Sequence, residues 1–542
     1  MSISQYKVLI TDNLAPEGIE ILENEEQVDL DIRVGISPDE LKDCIGEYDA
    51  IITRSGTTIT ADLLKNPGRL KIIGRAGVGL DNIDIEAASI KGIIVMNAPT
   101  GNTIAATELT MGMMLAAARK IPAANTSLKR EEWTRKKFMG RQLYGKTLGI
   151  IGLGRIGGSV AARAKAFGMK VIAFDPYIKE AKATGLGVSL YDRLEDVLSL
   201  SDVITVHTPK TSETKNMITG PEFDCMKDGV IIINCARGGI INEDALYDAV
   251  RSGKVFAAGV DVFGQEPLGH HKLLELENVF VTPHIGANTV EGQEGVAVII
   301  ARQVINALQG KAYENAVNIP YMRSQLPPVM QLYFDLAESM GRLAAQISKG
   351  RPELLELIMV GQKFKEDFGE RVFDIPFSFQ PFTAAGLKGF LEKNIKETVS
   401  FINAPYLARE RDMEIHESKI SSYENYNDLL LLRLKTDVDE HVIGGTVFAD
   451  NVCRILFLDQ FHLEMVAKGS YLYFKNIDKP GIVGRVGTVL GKHRINIAGF
   501  NLSRIMGGKA VSFVSLDNEV PEEVLEELLQ QDGLLEAKVV SL

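Results

Sequence analysis

The stretch Gly145–Asp175, GKTLGIIGLGRIGGSVAARAKAFGMKVIAFD, constrains this chain more than any other. Thr147–Ile151 is a short apolar run with β-branched residues, which reads as a buried parallel strand. Gly152, Gly154 and Gly157 follow in G-x-G-x-x-G spacing, then Ser159–Phe167 with helical composition, then a second strand, Lys170–Phe174, ending at Asp175. Gly152 makes the tight turn out of the strand, Gly154 lets the backbone approach a pyrophosphate, and Gly157 lets the helix pack close to the strand. The helix N-terminus offers unpaired N–H groups and a partial positive charge to phosphates. Asp175, close to the expected distance of about 20 residues, suits the adenosine ribose hydroxyls. A carboxylate there repels a 2′-phosphate, so the pattern predicts NAD rather than NADP. The bland alternative is a glycine-rich turn in some other α/β protein. The ordered strand, helix, second strand and terminal acid argue against it.

Length and charge narrow the rest. A chain of 542 residues is expected to hold three or four domains. Its net charge of −12 and pI near 5.4 argue against a general nucleic-acid or anionic-membrane surface. Cys44, Cys225, Cys235 and Cys453 are widely spaced with no C-x-x-C, which fits a reducing compartment and argues against a structural zinc site. MSISQYKVLITD has no basic region followed by an apolar stretch, so no signal peptide is expected. No apolar run approaches the roughly 18 residues of a membrane span. These features predict a cytoplasmic protein.

Ahead of the glycine motif, apolar runs at Tyr6–Thr11, Val28–Val34, Asp49–Thr53, Leu70–Gly74 and Ile93–Met96 alternate with helical sequence, which predicts a parallel sheet covered on both faces. Two of these strand ends carry arginines, Arg54 and Arg75, the second running into a glycine-rich loop. Open α/β sheets bind ligands beyond the carboxyl ends of their strands, and such arginines suit a carboxylate or phosphate. Simple pairing with surface acids is the alternative. Thr100–Ala118 reads as a long helix crossing into the next domain. Trp133, the one tryptophan, sits among charges in KREEWTRKKF, which points to an arm on another subunit or to a cover over an apolar patch.

Strands resume at Asp202–His207, Gly229–Asn234, Phe256–Val262 and Val279–Pro283. Helix Val296–Gln309 and a strand-like Ala316–Ile319 are expected to return to the first sheet. From Pro320 the pattern changes to helices (Val329–Ser348, Thr383–Ile402) and strands (Leu354–Val360, Leu429–Leu434, Thr446–Phe448, Arg454–Leu458), with no metal site expected. After Gly469 the order is β-α-β-β-α-β, ferredoxin-like.

Arg237, Glu266 and His284 each follow one of the later strands, and neighbouring strand ends of one sheet lie side by side. A His suits proton abstraction from a hydroxyl near neutral pH, an Arg holds a carboxylate, and an acid fixes the tautomer of the His. Singly, each has a structural alternative: a strand-end His, a turn acid before Pro267, a helix-capping Arg. His270 and His271 read as solvated. His207 reads as a structural or cofactor-contacting residue.

At these residues the chain resembles the D-isomer-specific 2-hydroxyacid dehydrogenases. The resemblance covers residues 1–320 and rests on GRAGVGLDNID, GKTLGIIGLGRIG, VHTPKTSETKNMI, INCARGGIINEDAL, GVDVFGQEP and TPHIGANT. It implies that Arg237 is the substrate arginine, Glu266 the paired acid and His284 the acid/base. It also implies NAD contacts at Val78, Gly152, Gly154, Arg155, Ile156, Gly157, Asp175, Thr208, Cys235, Ala236, Asp261 and Gly286, with Arg237 and His284 beside them. The chain is similar to the long members that oxidise 3-phospho-D-glycerate. By that likeness Arg54, Ser55, Arg75 and Gly77 bind substrate, and Arg135 is a contact from a neighbouring subunit.

The C-terminal half carries its own likeness. Residues 320–467 resemble an intervening domain through NAPYLARER, GGTVFADNVCRI and DQFHLE, and residues 468–542 resemble an ACT domain. Asp478 and Asn496 match positions where serine binds between subunits. The implied fold is α/β, with a Rossmann-type dinucleotide-binding domain (99–294) inserted in a flavodoxin-like substrate domain (1–98 and 295–319). An α+β intervening domain and a ferredoxin-like ACT domain follow. The implied partners are 3-phosphoglycerate, an L-serine effector and further copies in a homodimer or homotetramer, with no nucleic acid, membrane or metal. Reduction of glyoxylate, lactate or 2-oxoglutarate is the alternative activity, and a non-catalytic NAD-sensing protein a more distant one.

Overall fold

Alternating apolar runs and helices assemble into four sheets in a computed structural model that describes residues 5–319, 326–365, 379–395, 398–424, 426–505, 508–518 and 520–542. The first sheet contains β1 (Tyr6–Ile10), β2 (Val28–Ile32), β3 (Ala50–Thr53), β4 (Ile72–Arg75) and β5 (Ile94–Asn97), in the order β2-β1-β3-β4-β5. All its pairs are parallel, and β3 is buried along its whole length, as a strand covered on both faces must be. The Val290–Leu308 helix lies on this sheet, with Val296, Ile300 and Val304 in one core with Val8, Ile10 and Ile52. A Cβ at Gly74 would sit 2.8 Å from Val304, so a bare backbone in β4 lets the helix approach. The expected strand Ala316–Ile319 is not formed. Ala316 makes one isolated bridge to Met96. The Asn318 side chain then takes over the ladder, accepting from Val95 N–H (2.8 Å) and donating to Ile93 C=O (2.7 Å).

The second sheet holds β6 (Thr147–Ile151), β7 (Lys170–Phe174), β8 (Ser189–Tyr191), β9 (Val203–Val206), β10 (Val230–Asn234), β11 (Val255–Val260) and β12 (Val279–Val281), ordered β12-β11-β10-β9-β6-β7-β8. The strand order reverses between β6 and β9, where doubly wound sheets bind ligands. The three-residue β8 has no apolar run and left no sequence signal. The helix after the glycine motif spans Arg155–Ala166, so it starts inside the motif and earlier than its composition suggests.

The third sheet contains β13 (Pro352–Gly361), β14 (Glu414–Ile420), β15 (Asp428–Thr436), β16 (Glu440–Val447), β17 (Cys453–Leu458) and β18 (Phe461–Val466), ordered β14-β13-β15-β16-β17-β18. β14, a charged strand at the sheet's end, and β18 were not expected. The expected helix Thr383–Ile402 is instead Pro381–Asn394, and residues 396–397 of that expectation lie outside the described residues. Ser400 and Asn403 close a turn of their own, with Ser400 N–H donating to Asn403 Oδ1 (2.7 Å), before a separate helix at Ala404–Arg409.

Two helices, Pro328–Ile347 and Pro381–Asn394, cross on this sheet with their backbones nearly touching. A Cβ at Gly341 would lie 2.0 Å from Gly386 O, and one at Gly389 2.0 Å from Glu338 O. Backbone oxygens in two packed helices cannot both retreat. Gly341→Ala is therefore expected to destabilise the protein by about 1–3 kcal/mol despite the better helix propensity of Ala. Calorimetry checks this, and an unchanged or raised Tm contradicts it.

The fourth sheet holds β19 (Ser470–Ile477), β20 (Ile497–Arg504), β21 (Lys509–Leu516) and β22 (Leu534–Ser541), ordered β20-β21-β19-β22. Leu472, Phe474 and Val514 pack under the helices Ile482–Lys492 and Glu522–Leu529. Its other face, through Tyr471, Tyr473, Phe513 and Val540, shares a core with the Pro328–Ile347 helix.

Candidate active site

The glycine motif builds an open cradle at the reversal of the second sheet. Gly152 has φ +93°, a conformation that side chains disfavour, and a Cβ on it would strike His207 O at 2.8 Å. A Cβ at Gly157 would lie 2.1 Å from Gly152 O, so the helix closes directly on the turn. Nothing stands within 4 Å of the Cβ position at Gly154, and no side chain caps the helix that starts at Arg155, followed by Ile156. Its first N–H groups are therefore available to an anion. Asp175 braces the same turn, accepting from Leu153 N–H (2.8 Å) and Tyr177 N–H (2.9 Å). Thr208, beyond β9, has a buried hydroxyl without a partner. An open glycine backbone, an uncapped helix, a strand-end acid and an unpaired hydroxyl together fit a dinucleotide.

Two other residues on this rim are chemically quiet. Burial pushes the Cys235 thiol up to about 12, so it stays protonated. His207 is bonded to Thr205 through Nε2 (3.0 Å), and burial pulls its pKa down to about 4, which keeps the ring neutral.

Beyond β12, His284 adopts φ +53°, a strained backbone for a histidine. Asp261, fully buried at the end of β11, enforces it: its carboxylate accepts from Thr282 Oγ1 (2.6 Å), Ile285 N–H (2.8 Å) and Gly286 N–H (2.9 Å). Burial raises the pKa of Asp261, opposed by these same hydrogen bonds. Its oxygens are thus committed to the turn that presents His284. His284 Nδ1 lies 2.7 Å from Glu266 Oε2, and Glu266 Oε1 accepts from Phe263 N–H (2.9 Å). A carboxylate there accepts the Nδ1–H hydrogen bond and leaves Nε2 as the free acceptor.

The first sheet contributes arginines beside Arg237. The Nε groups of Arg54 and Arg75 are buried without a partner, and neither guanidinium forms an ion pair among the described residues. Arg54 Nη1 donates to Asn13 O (3.0 Å). Burial lowers the pKa of Arg54; burial and the nearby Arg237 bring Arg75 down to about 10. A Cβ at Gly77 would strike Arg75 Nη1 at 1.8 Å, and one at Gly79 would strike Arg237 Nη2 at 2.0 Å, so this loop is glycine because guanidinium groups fill its concavity. Arg237 donates to Asp81 (2.9 Å) and to Ala236 O (2.7 Å), bridging the two sheets. Asn97 Nδ2 holds Val78 O at 2.7 Å.

Residues that sequence reasoning missed hold this cluster in place. Asp12, at the end of β1, accepts from Thr53 Oγ1, Arg54 N–H (2.6 Å) and Thr57 N–H (3.2 Å), shaping the loop that contains exposed Ser55. The same strand-end rule that singled out Arg54 and Arg75 would have found it. Asp81 left no such signal, because its partner is distant in sequence. His271 is not solvated as expected, but half-buried against Glu243.

The remaining candidates lie elsewhere. Arg135 sits in an exposed turn, Arg135–Phe138, near Trp133, which is 77% exposed. Asp478 follows β19 level with Gly508, and Asn496 precedes β20 at the level of Asp517. Nine residues of antiparallel strand separate the two levels, about 30 Å. One chain does not bring this pair together. Asp478 faces Arg504 (3.5 Å), and Asn496 donates to Asp517 (2.6 Å).

The chain is similar to known proteins along its whole length. Residues 111–286 match the D-isomer specific 2-hydroxyacid dehydrogenase NAD binding domain, 329–459 the D-3-phosphoglycerate dehydrogenase intervening domain, and 470–533 the ACT domain. A D-3-phosphoglycerate dehydrogenase of Methanocaldococcus jannaschii is 42% identical over 99% of this chain and 100% of its own. One from Synechocystis is 41% identical over 100% of this chain and 96% of its own. The structure of an Aquifex aeolicus D-lactate dehydrogenase complexed with NAD and lactic acid, 31% identical, superposes with TM-score 0.51 over 56% of this chain and 96% of its own. With whole-length identity and all three domain matches in chain order, this chain belongs to the D-3-phosphoglycerate dehydrogenase family.

Proposed function

We propose that this protein oxidises 3-phospho-D-glycerate to 3-phosphooxypyruvate with NAD, opening phosphorylated L-serine synthesis. The observation that carries the reading is the gathering of half-buried Arg54 and Arg75 with Arg237, in a chain that also bonds His284 to Glu266. A substrate with a carboxylate at one end and a phosphate at the other needs cations at both ends of a short cleft.

When bound, NAD supplies the hydride acceptor. His284 Nε2 takes the proton of the C2 hydroxyl as the C2 hydrogen leaves with its electron pair. Glu266 holds Nδ1–H and stabilises the resulting imidazolium. Arg237 holds the C1 carboxylate and polarises the developing carbonyl. Arg54 and Arg75 bind the phosphate, with Ser55 and Gly77 shaping the loops around it. Asp175 takes the ribose hydroxyls. Asp261 acts through the turn that presents His284.

The reading extends to the assembly. β20 is the terminal strand of its sheet. Pairing two copies antiparallel along β20 brings Asp478 of one protomer level with Asn496 of the partner subunit, which supports an L-serine site made only in a dimer or tetramer. The exposed Trp133 arm, with Arg135, supports a second contact between subunits. Free thiols at four cysteines support a cytoplasmic setting.

The test is NADH oxidation by the full chain with 3-phosphooxypyruvate, with and without millimolar L-serine. Turnover suppressed by serine supports both assignments; turnover indifferent to serine keeps the enzyme and removes the effector. Reduction of glyoxylate or 2-oxoglutarate in its place overturns the substrate.

A further inference from the structure

Three loops carry the catalytic groups, and one pair of side chains outside the site ties the helix that follows the Arg237 loop to the connection that carries Glu266. Glu243 is the first residue of the Glu243–Arg251 helix, which follows the loop of Arg237. Its Oε1 accepts from Gly264 N–H at 2.6 Å, two residues before Glu266. Its Oε2 lies 3.1 Å from His271 Nε2. His271 Nδ1 in turn accepts from Leu273 N–H (3.3 Å), starting the short turn Lys272–Glu275 that leads into β12 and His284. With Nδ1 taken up by Leu273 N–H, Nε2 is the ring nitrogen left beside the Glu243 carboxylate. The ring of His271 also packs edge-on to Phe263 (6.1 Å), whose N–H holds Glu266 Oε1. Both side chains are only about one-fifth exposed, at 20% and 21%.

We propose that Glu243 and His271 form a positioning pair that sets the alignment of Glu266 on His284. The inference rests on the reading of His284 as the proton acceptor and Glu266 as its orienter. Neither Glu243 nor His271 touches substrate or cofactor in this account. They hold Gly264, and with it the backbone that fixes Glu266, against the Lys272–Glu275 turn that leads into β12. A carboxylate displaced by a fraction of an ångström no longer holds the imidazole in line for proton transfer, while Arg54 and Arg75 in the other sheet and the cradle that binds NAD are left alone.

The experiment compares Glu243→Ala and Glu243→Gln in the full chain, measuring kcat, both KM values, the NADH Kd and the solvent deuterium isotope effect on kcat. Glu243→Ala is expected to lower kcat on the order of 10–100-fold, with KM and Kd within about threefold and a larger isotope effect, because proton transfer becomes slower than product release. Glu243→Gln keeps an oxygen for Gly264 and is expected to restore kcat to within about threefold of the parent protein. An unchanged kcat, a parallel loss of kcat and cofactor affinity, or no rescue by Gln overturns the proposal. Should Glu243→Ala fail to fold, His271→Gln carries the test: a kcat loss with unchanged KM supports the pair, and parent-like kcat overturns it. His284→Asn run alongside keeps the two readings apart. If that variant still turns over, the assignment of the acid/base falls, whatever the Glu243 variants do.

Discussion

His284→Asn is expected to lower kcat by about 10²–10⁴-fold, the usual contribution of a positioned acid/base, while the Kd for NADH stays near its parent value. Asn keeps a short polar group beside Glu266 but has nothing that takes a proton near neutral pH. The cofactor cradle is built by Gly152, Gly154, Gly157 and Asp175, at the other side of the second sheet's order reversal, and among the described residues it has no bond to His284. Stopped-flow turnover and fluorescence titration separate the two quantities. Joint loss of kcat and NADH binding would mean that the φ +53° turn at His284 had collapsed, and that the residue is structural. Asn, which tolerates positive φ better than most residues, was chosen to keep that turn intact.

Arg75→Ala is expected to raise KM for 3-phosphooxypyruvate by roughly 10–150-fold, the equivalent of one lost charge-assisted interaction of about 1.5–3 kcal/mol. KM for NADH should move by less than about threefold, because Arg75 ends β4 in the other sheet. The same variant tested on unphosphorylated hydroxypyruvate should show little penalty if Arg75 meets the phosphate. Arg54→Ala should behave alike. Equal rises in KM for both substrates would remove the phosphate assignment. So would a penalty on hydroxypyruvate as large as that on the phosphorylated acid. Arg75→Lys separates charge from shape: the ammonium restores part of the affinity but not the forked geometry.

Much of the fold was legible because its signals are local. Apolar runs marked nearly every strand of the first two sheets, and the β-α-β-β-α-β order of the last sheet could be read from alternation alone. Elements without a local signature were missed. β8 is three residues long, and β14 is a charged strand at the end of its sheet. Ala316–Ile319 does return to the first sheet, with Val317 N–H donating to Val95 C=O (2.8 Å), but it forms one isolated bridge and not a strand. The Asn318 side chain decides the matter through contacts more than two hundred residues away in sequence.

For the site, the sequence by itself determined the chemistry available at each strand end: glycines for a close backbone approach, Asp175 for a ribose, and Arg54, Arg75, Arg237, Glu266 and His284 at the rim. Tertiary structure decided which of these charges meet. It bonded Arg237 to Asp81 across two sheets, buried Asp261 behind the His284 turn, and tied Glu243 to both Gly264 and His271. It also set Asp478 and Asn496 at opposite ends of one sheet, so that one chain does not join them. The physical reason is the same throughout. Residue type and local period are set by neighbours a few positions away, whereas a hydrogen bond between distant loops depends on strand register and on the path of the chain between them.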